Sequence, residues 1–283
     1  METVTFASEG HKLRGALFPT SVPASSAVVL CHGAFERKEN WFSFAQRLAE
    51  AGLPAFTFDF VGHGASEGLR STVQMRSWSY NIRDALSYLG QRGYHHFALV
   101  GWDSGGSAVV LAAAHDPRAR CAVVLSAPIL LIPSLSSRVV LGLALGVDQI
   151  VRRVWKKPLT LSRVNEFEAL RVASDDGVNA RFLADPQVQA HLQAVPVREG
   201  MDSSWCDITR AAEKVRVPML VVHGTEDKVN KLQQSQKLCS VVQGPVELQM
   251  LEGSGHAIHL DAERDIAYEM IARWLSVYLP RQG

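Results

Sequence analysis

The sequence has little of what marks a nucleic-acid, metal or membrane-spanning protein. Charge of either sign is not in excess: 29 Lys and Arg face 28 Asp and Glu, a formal +1, which leaves no general field for nucleic acid or an acidic membrane. Cysteine is scarce. Cys31, Cys121, Cys206 and Cys239 have neither metal-like nor disulfide-framework spacing, and Cys31 and Cys121 lie in or beside apolar strand-like runs where a reduced thiol packs as a small hydrophobe. No His/Cys/Asp/Glu cluster has ligand spacing, and no phosphate-cradling or dinucleotide glycine pattern is present, so neither a metal nor an organic cofactor is expected. A clean twenty-residue apolar run is also missing. The best candidate, Ile129 to Val147, is interrupted by Pro133, three serines and Arg138, which argues against a membrane span. Met1 to Arg14 is polar or charged throughout and lacks the apolar core of a secretion signal, giving the expectation of a cytoplasmic protein.

What the chain has is hydrophobic mass, 47% over 283 residues, enough for one large α/β domain with an insertion or for two average domains. It is organised around Leu99-Val100-Gly101-Trp102-Asp103-Ser104-Gly105-Gly106, an apolar run that stops at Gly-x-Asp-x-Gly-Gly and passes into a helical pattern from Ser107 to His115. A strand, a very tight turn and a helix in this order form a nucleophile elbow, which needs small residues two positions before and after the reactive side chain. Gly101 and Gly105 sit at those distances from Asp103, whereas the register centred on Ser104 would put Trp102 where the turn has least room. Asp103 is therefore the elbow residue, and the helix N-terminus favours its anion.

In chain order, Thr3 to Ala7 and Leu13 to Phe18 predict a hairpin through Ser8-Glu9-Gly10, and Ala27 to Leu30 a short buried strand. Strands are predicted at Leu53 to Phe60, Phe97 to Val100, Ala122 to Leu125, Met219 to Val222 and Val246 to Leu251. Helices alternate with them at Trp41 to Ala51, Trp78 to Gln91, Gln233 to Val242 and Ala262 to Tyr278. This predicts an α/β fold with a doubly wound, mostly parallel sheet. Between about Pro128 and Ala212 the alternation lapses into helical segments, so 128–212 reads as a helical cap inserted in a core of 1–127 and 213–283. Leu141 to Trp155, followed by Lys156 and Lys157, is expected to pack over an apolar pocket with its charges in water. Weak contact with a lipid surface, as a basic amphipathic helix, is the alternative.

Two loops follow late strands: His223-Gly224-Thr225-Glu226-Asp227 and Gly253-Ser254-Gly255-His256. Reactive groups of such sheets collect beyond the carboxyl ends of the strands, where Asp103, Asp227 and His256 all fall. His256 is preferred to His259 because the Gly-Ser-Gly run leaves it on a loop. His32 and His63 read as structural, each bonded within a Gly-rich turn.

At these residues the chain resembles the α/β-hydrolase superfamily over nearly its whole length, most closely the monoacylglycerol-lipase and small-esterase branch. The resemblance rests on the Gly101 to Gly105 elbow, His32-Gly33-Ala34-Phe35, Asp59 to Ser66, the Gly224 to Asp227 loop and the loop ending at His256. It implies a triad of Asp103, Asp227 and His256, with Asp227 preferred to Glu226 by its place three residues after Gly224. It also implies an oxyanion hole built by the backbone of Ser104 and of Ala34 or Phe35. In that branch the elbow nucleophile is Ser; an Asp there is the choice of haloalkane dehalogenases and epoxide hydrolases of the same superfamily.

An ionised Asp attacks carbon without a base, and displacement at an sp3 carbon would give an alkyl ester on Asp103 that water, activated by His256, hydrolyses. Attack on a carboxylic ester would give a mixed anhydride of higher energy. The first expectation is thus a hydrolase for a carbon–halogen or epoxide-type bond of a small to medium hydrophobic substrate. The cap is expected to line the pocket from Leu130 to Leu145 and around Trp205, with Trp41, Trp102 and Trp155 as further candidates. Yet 128–212 has no tyrosine to protonate an epoxide oxygen, and Ser104 follows Asp103 where a haloalkane dehalogenase commonly has Trp. Three alternatives stay open: an esterase, lipase or thioesterase scaffold with Asp103 in place of serine, a base-catalysed lyase or cyclase, and a non-catalytic binder of a small ligand.

Overall fold

The computed structural model describes residues 1–21, 23–165 and 171–279. The expected cap and the end of the expected core run through 166–170 and 280–283, outside the described residues. The chain opens with β1 (Glu2–Ser8), whose alternating burial turns Val4, Phe6 and Ser8 inward, and β2 (His11–Phe18). Glu9 and Gly10 both take positive φ, 46° and 81°, in the two-residue connection that matches the twist of paired strands. The strands β3 (Ser26–Cys31), β4 (Ala55–Phe58), β5 (His96–Trp102), β6 (Ala119–Leu125), β7 (Met219–Gly224) and β8 (Val246–Leu251) follow. They join the hairpin in one eight-stranded sheet of order β1-β2-β4-β3-β5-β6-β7-β8. β2 runs antiparallel to β1 and β4, and every neighbour pair from β4 to β8 is parallel. Buried on both faces, β3 (SAVVLC) and β4 (AFTF) are near-continuous apolar runs, as parallel strands must be.

Helices α1 (Phe42–Glu50), α2 (Met75–Gln91), α3 (Asp103–Ala113), α8 (Leu232–Val241) and α9 (Arg264–Tyr278) connect and cover the strands. The sheet order turns back between β3 and β5, so the crevice beyond the carboxyl ends of these two strands is the switch point where α/β sheets bind ligands. The register sets Cys31 beside Gly101, Trp102 beside Leu125, and Gly224 beside Leu251. The loops after β3, β5, β7 and β8 therefore open on one edge.

Between β6 and β7 lie α4 (Leu135–Trp155), α5 (Asp176–Ala184), α6 (Pro186–Gln193) and α7 (Thr209–Ala212). Two-residue ladders, Leu130–Leu131 with Cys206–Asp207 and Thr160–Leu161 with Val195–Pro196, tie this segment to itself. The α4 helix departs from expectation. Its one fully buried residue is Asp148, which sits among the half-buried Leu141, Ala144, Leu145 and Val151 and takes hydrogen bonds from Arg152 Nε (2.7 Å) and Leu159 N–H (2.8 Å), with Arg198 Nε at 3.4 Å. The apolar residues Val139, Leu143, Val147, Ile150 and Val154 face outward, Leu143 at 68% exposure. The docked side thus joins an anchored carboxylate to half-buried aliphatic residues, and a second apolar face is left outward.

Candidate active site

The elbow is as tight as its glycines imply. Asp103 takes φ 50°, while Ser104 is an ordinary buried residue of the first turn of α3. A Cβ on Gly105 would lie 2.0 Å from the His32 carbonyl oxygen, and one on Gly101 2.6 Å from that of Gly105. Backbone strain at a polar residue held by such packing belongs to functional turns.

The carboxylate of Asp103 is held at both oxygens. Oδ2 accepts the N–H of Ala34 (3.2 Å), and the Ser104 N–H also bonds the carboxylate. Oδ1 lies 3.4 Å from Asn230 Nδ2 and 3.6 Å from His256 Nε2. The other ring nitrogen of His256 is 2.9 Å from Asp227 Oδ2, and Oδ1 of Asp227 accepts the N–H groups of Val229 (2.8 Å) and Asn230 (2.9 Å). Glu226, the alternative acid, is on the surface, paired with Lys228. Phe35 differs from expectation: its N–H, at φ 61°, donates to His63 Nε2 (3.3 Å) and so is not a free oxyanion donor. The two backbone donors aimed at residue 103 are Ala34 and Ser104.

Surrounding side chains pin these loops. The Trp102 indole N–H donates to the carbonyl of His256 (2.7 Å), and Asp261 accepts the N–H of Gly255 (2.6 Å). His259, the other histidine of that loop, is buried 2.7 Å from Glu36 Oε1, whose second oxygen accepts the Gly33 N–H (3.4 Å). His32 accepts from Phe60 N–H through Nε2 and meets Gly33 O through Nδ1. Burial holds His32 and His63 below the usual histidine range, consistent with neutral structural rings. The turn from Asp59 to Ser66 folds around the Asp59 carboxylate, which pairs with buried Lys38 (2.8 Å).

Electrostatically the site is a cation between two anions. Burial opposes charge on His256, but Asp227 and Asp103, by charge and hydrogen bonds, together raise it to about 10. Burial likewise pushes Asp103 up, and the imidazolium with the Ser104 and Ala34 N–H groups outweighs it, leaving the carboxyl below its ordinary value. The two carboxylates thus favour the protonated form of the His256 ring, and the imidazolium in turn favours the ionised form of both.

Asp103 and His256 border a cavity of about 260 Å³, walled by Leu131, Val172, Phe182 and Val229 with Arg163, Ser203 and Asn230 as polar members. Of the four tryptophans expected here, Trp102 lines it. Trp41 is buried, stacked on His259 at 4.5 Å; Trp155 is 65% exposed at the end of α4; Trp205 borders a different cavity. Of Leu130 to Leu145, Leu131 alone lines it among the described residues. Asn230 and Arg163 were not foreseen from the sequence. Asn230, three residues after Asp227, is held by the Ser126 carbonyl (2.8 Å), and Arg163 donates to Ser203 Oγ (2.7 Å). Among the described residues no group of three or more His, Cys, Asp and Glu is placed to hold a metal ion, and no helix is long and apolar enough to cross a membrane.

Residues 23–263 match the model of the serine aminopeptidase S33 family. The chain belongs to this family of α/β-hydrolases, and it is a hydrolase. Among the family's curated relatives, the monoacylglycerol lipase of Mycolicibacterium smegmatis is 26% identical over 257 residues, covering 89% of this chain and 88% of the relative. The crystal structure of the monoacylglycerol lipase of Paleococcus ferrophilus superposes with a TM-score of 0.73 at 24% identity, covering 94% of this chain and 99% of that one. The α/β-hydrolase GrgF of Penicillium reaches 0.83 at 21%, covering 98% of each. At these identities the structural likeness is one of fold.

Proposed function

We propose that this family member is an acyl-ester hydrolase for small to medium apolar substrates, with Asp103 as the attacking group, Asp227 and His256 as its partners, and 128–212 acting as the cap. The observation that carries the reading is that one cavity is bordered by Asp103, by His256 bonded to Asp227, and by two N–H donors. The relatives named for monoacylglycerol lipase activity support an acyl substrate over the carbon–halogen or epoxide bond first expected from the aspartate. The apolar outer face of α4, ending near Arg153, Lys156 and Lys157, supports weak contact with a lipid surface as the place where such a substrate is met.

Asp103 Oδ1 attacks the carbonyl carbon, whose oxygen takes over the Ala34 and Ser104 donors. His256, already protonated, passes its Nε2 proton to the leaving oxygen or sulfur. The acyl-aspartate that results is a mixed anhydride. The now neutral imidazole takes a proton from water as it adds to the acyl carbon, releasing the acid and restoring the Asp103 carboxylate and the His256 imidazolium. Because an anhydride lies above an alkyl ester in energy, activated acyl groups, thioesters and aryl esters, are the better substrates. The test is turnover of a panel of aryl esters, thioesters and glycerol esters. The native chain is expected to cleave the activated ones, Asp103→Asn none, and Asp103→Ser to gain glycerol esters. Equal turnover by the Asn variant would remove the nucleophile from the account.

A second reading, displacement at an sp3 carbon, is favoured by one observation: Asp103 Oδ2 already sits on the Ala34 N–H while Oδ1 is directed toward His256. An alkyl ester formed at Oδ1 would keep its own carbonyl on those donors. Single turnover in ¹⁸O water separates the readings, since acyl chemistry labels the released acid and alkyl chemistry labels Asp103.

A further inference from the structure

A second cavity is larger than the one at Asp103. It has a volume of about 900 Å³ and lies as a cleft between α2, the far end of α3 and the segment 201–214. Its floor is apolar, with Leu111 and Ala112 from α3 and Ile208 and Ala211 from around α7. Both rims are cationic: Arg76 and Arg83 project from α2 on one side, Arg210 and Lys214 on the other. Three carboxylates also line it, of which Asp116 is ion-paired while Asp202 and Asp207 accept from uncharged donors. Asp116 is bound by Arg118 at 2.6 and 2.9 Å, Asp207 accepts the Thr209 N–H (3.0 Å), and Asp202 accepts the Met75 N–H (2.8 Å). Arg76 is turned to the Tyr80 hydroxyl (3.1 Å) and Arg83 to Asp84, while Arg210 and Lys214 make no ion pair among the described residues. A cleft of this size, at the upper end of the roughly 300–1,000 Å³ usual for ligand pockets, is more than the 260 Å³ site needs for its own substrate.

We propose that this cleft is a second binding site, for a single-chain amphiphile with an anionic head, the chain on the Leu111–Ile208 floor and the head between the two basic rims. Apolar area drives the chain in, and the four lining cations, which outnumber the three lining carboxylates of which Asp116 is held by Arg118, select the sign of the head. The site shares a wall with the catalytic cavity. Met201, Trp205 and Cys206 face the cleft, whereas Ser203 of the same segment faces the catalytic cavity, where it holds Arg163. Cys206 is also paired across its ladder with Leu131, which lines the catalytic cavity. An occupant of the cleft therefore touches the segment that shapes the other site.

Carboxylate and phosphate heads share this chemistry, so the test uses both, as dodecanoate and dodecyl phosphate below their micellar concentrations, with dodecanol as the neutral control. Binding to the full chain is followed by Trp205 emission, with Trp205→Phe assigning the signal, and by calorimetry. Both anions are expected to bind at least tenfold more tightly than the alcohol. The Arg210→Glu/Lys214→Glu pair, on exposed side chains, is expected to lower anion affinity at least tenfold and leave dodecanol unchanged. Ala211→Trp, which fills the floor, is expected to abolish binding of all three; if it does not fold, the exposed charge reversals carry the test. Phe182→Ala, in the catalytic cavity, is expected to leave all three affinities unchanged. Equal affinity for alcohol and anions, or loss of binding on Phe182→Ala but not on the charge reversals, overturns the proposal. Tighter binding of one anion than the other says which head the cleft prefers.

Discussion

His256 Nε2 stands 3.6 Å from Asp103 Oδ1 while its Nδ1 is 2.9 Å from Asp227 Oδ2, so a single buried imidazole bridges two carboxylates. An elbow serine would leave this ring with one anionic partner and free as a base. The aspartate gives it two, which favours the cation. In the proposed hydrolysis, the proton that a serine enzyme must first collect would be in place before the substrate arrives.

Asp103→Asn removes one of those anions and lowers the His256 pKa from about 10 toward the ordinary value. A histidine raised on folding adds stability that is complete below its unfolded value of about 6.5 and lost as pH climbs through the folded one. Native protein should lose stability toward pH 10, and the Asn variant should lose its share at lower pH. Imidazole NMR titration with parallel denaturant melts checks both; an unchanged His256 titration in the variant contradicts the bridge.

Trp102→Phe keeps a ring beside His256 and removes the indole N–H that holds the His256 carbonyl at 2.7 Å. The stability loss should be about 1 kcal/mol, the usual worth of one hydrogen bond. Because the lost bond orients the histidine loop, kcat should fall more than KM changes. Steady-state kinetics on an aryl ester reads the split.

Glu36→Ala leaves His259 buried against Trp41 without its 2.7 Å partner and frees the Gly33 N–H of the oxyanion loop. Breaking one side of a buried ionisable pair costs about 3–5 kcal/mol. Chemical denaturation should show a loss in that range, and Glu36→Gln, which keeps an oxygen at the site, should lose less.

Gly105→Ala forces a methyl to within 2.0 Å of the His32 carbonyl oxygen, backbone that cannot step aside cheaply. Overpacking of this kind costs about 3 kcal/mol. Thermal melts should show the loss, and Gly142→Ala, on the open side of α4 with nothing near, should not destabilise.

The elements were legible where a local pattern has one physical meaning. Alternation of apolar runs with helical spacing predicted the parallel sheet, and three glycines around residue 103 distinguished Asp103 from Ser104 because only one register leaves the turn room. What escaped depends on partners far along the chain. Amphipathicity marks α4 as a surface helix but not the burial of Asp148 on its docked side, where the distant Arg198 comes within 3.4 Å. Phe35 loses its role as donor to His63, and Trp205 belongs to the larger cleft because the segment 201–207 presents its two faces to two cavities. Asn230 follows Asp227 by three residues, yet nothing local says that its amide reaches the Ser126 carbonyl and Asp103.

The most direct measurement is the mass of the peptide containing Asp103 from the His256→Ala protein, quenched within the first turnover of an aryl ester or acyl thioester. These leaving groups depart without the imidazole proton, and the missing base slows hydrolysis of the intermediate. The account predicts that the peptide gains the acyl mass at Asp103. An unmodified Asp103 with acid still released would contradict it, as would a gain equal to the alkyl rather than the acyl part of the ester.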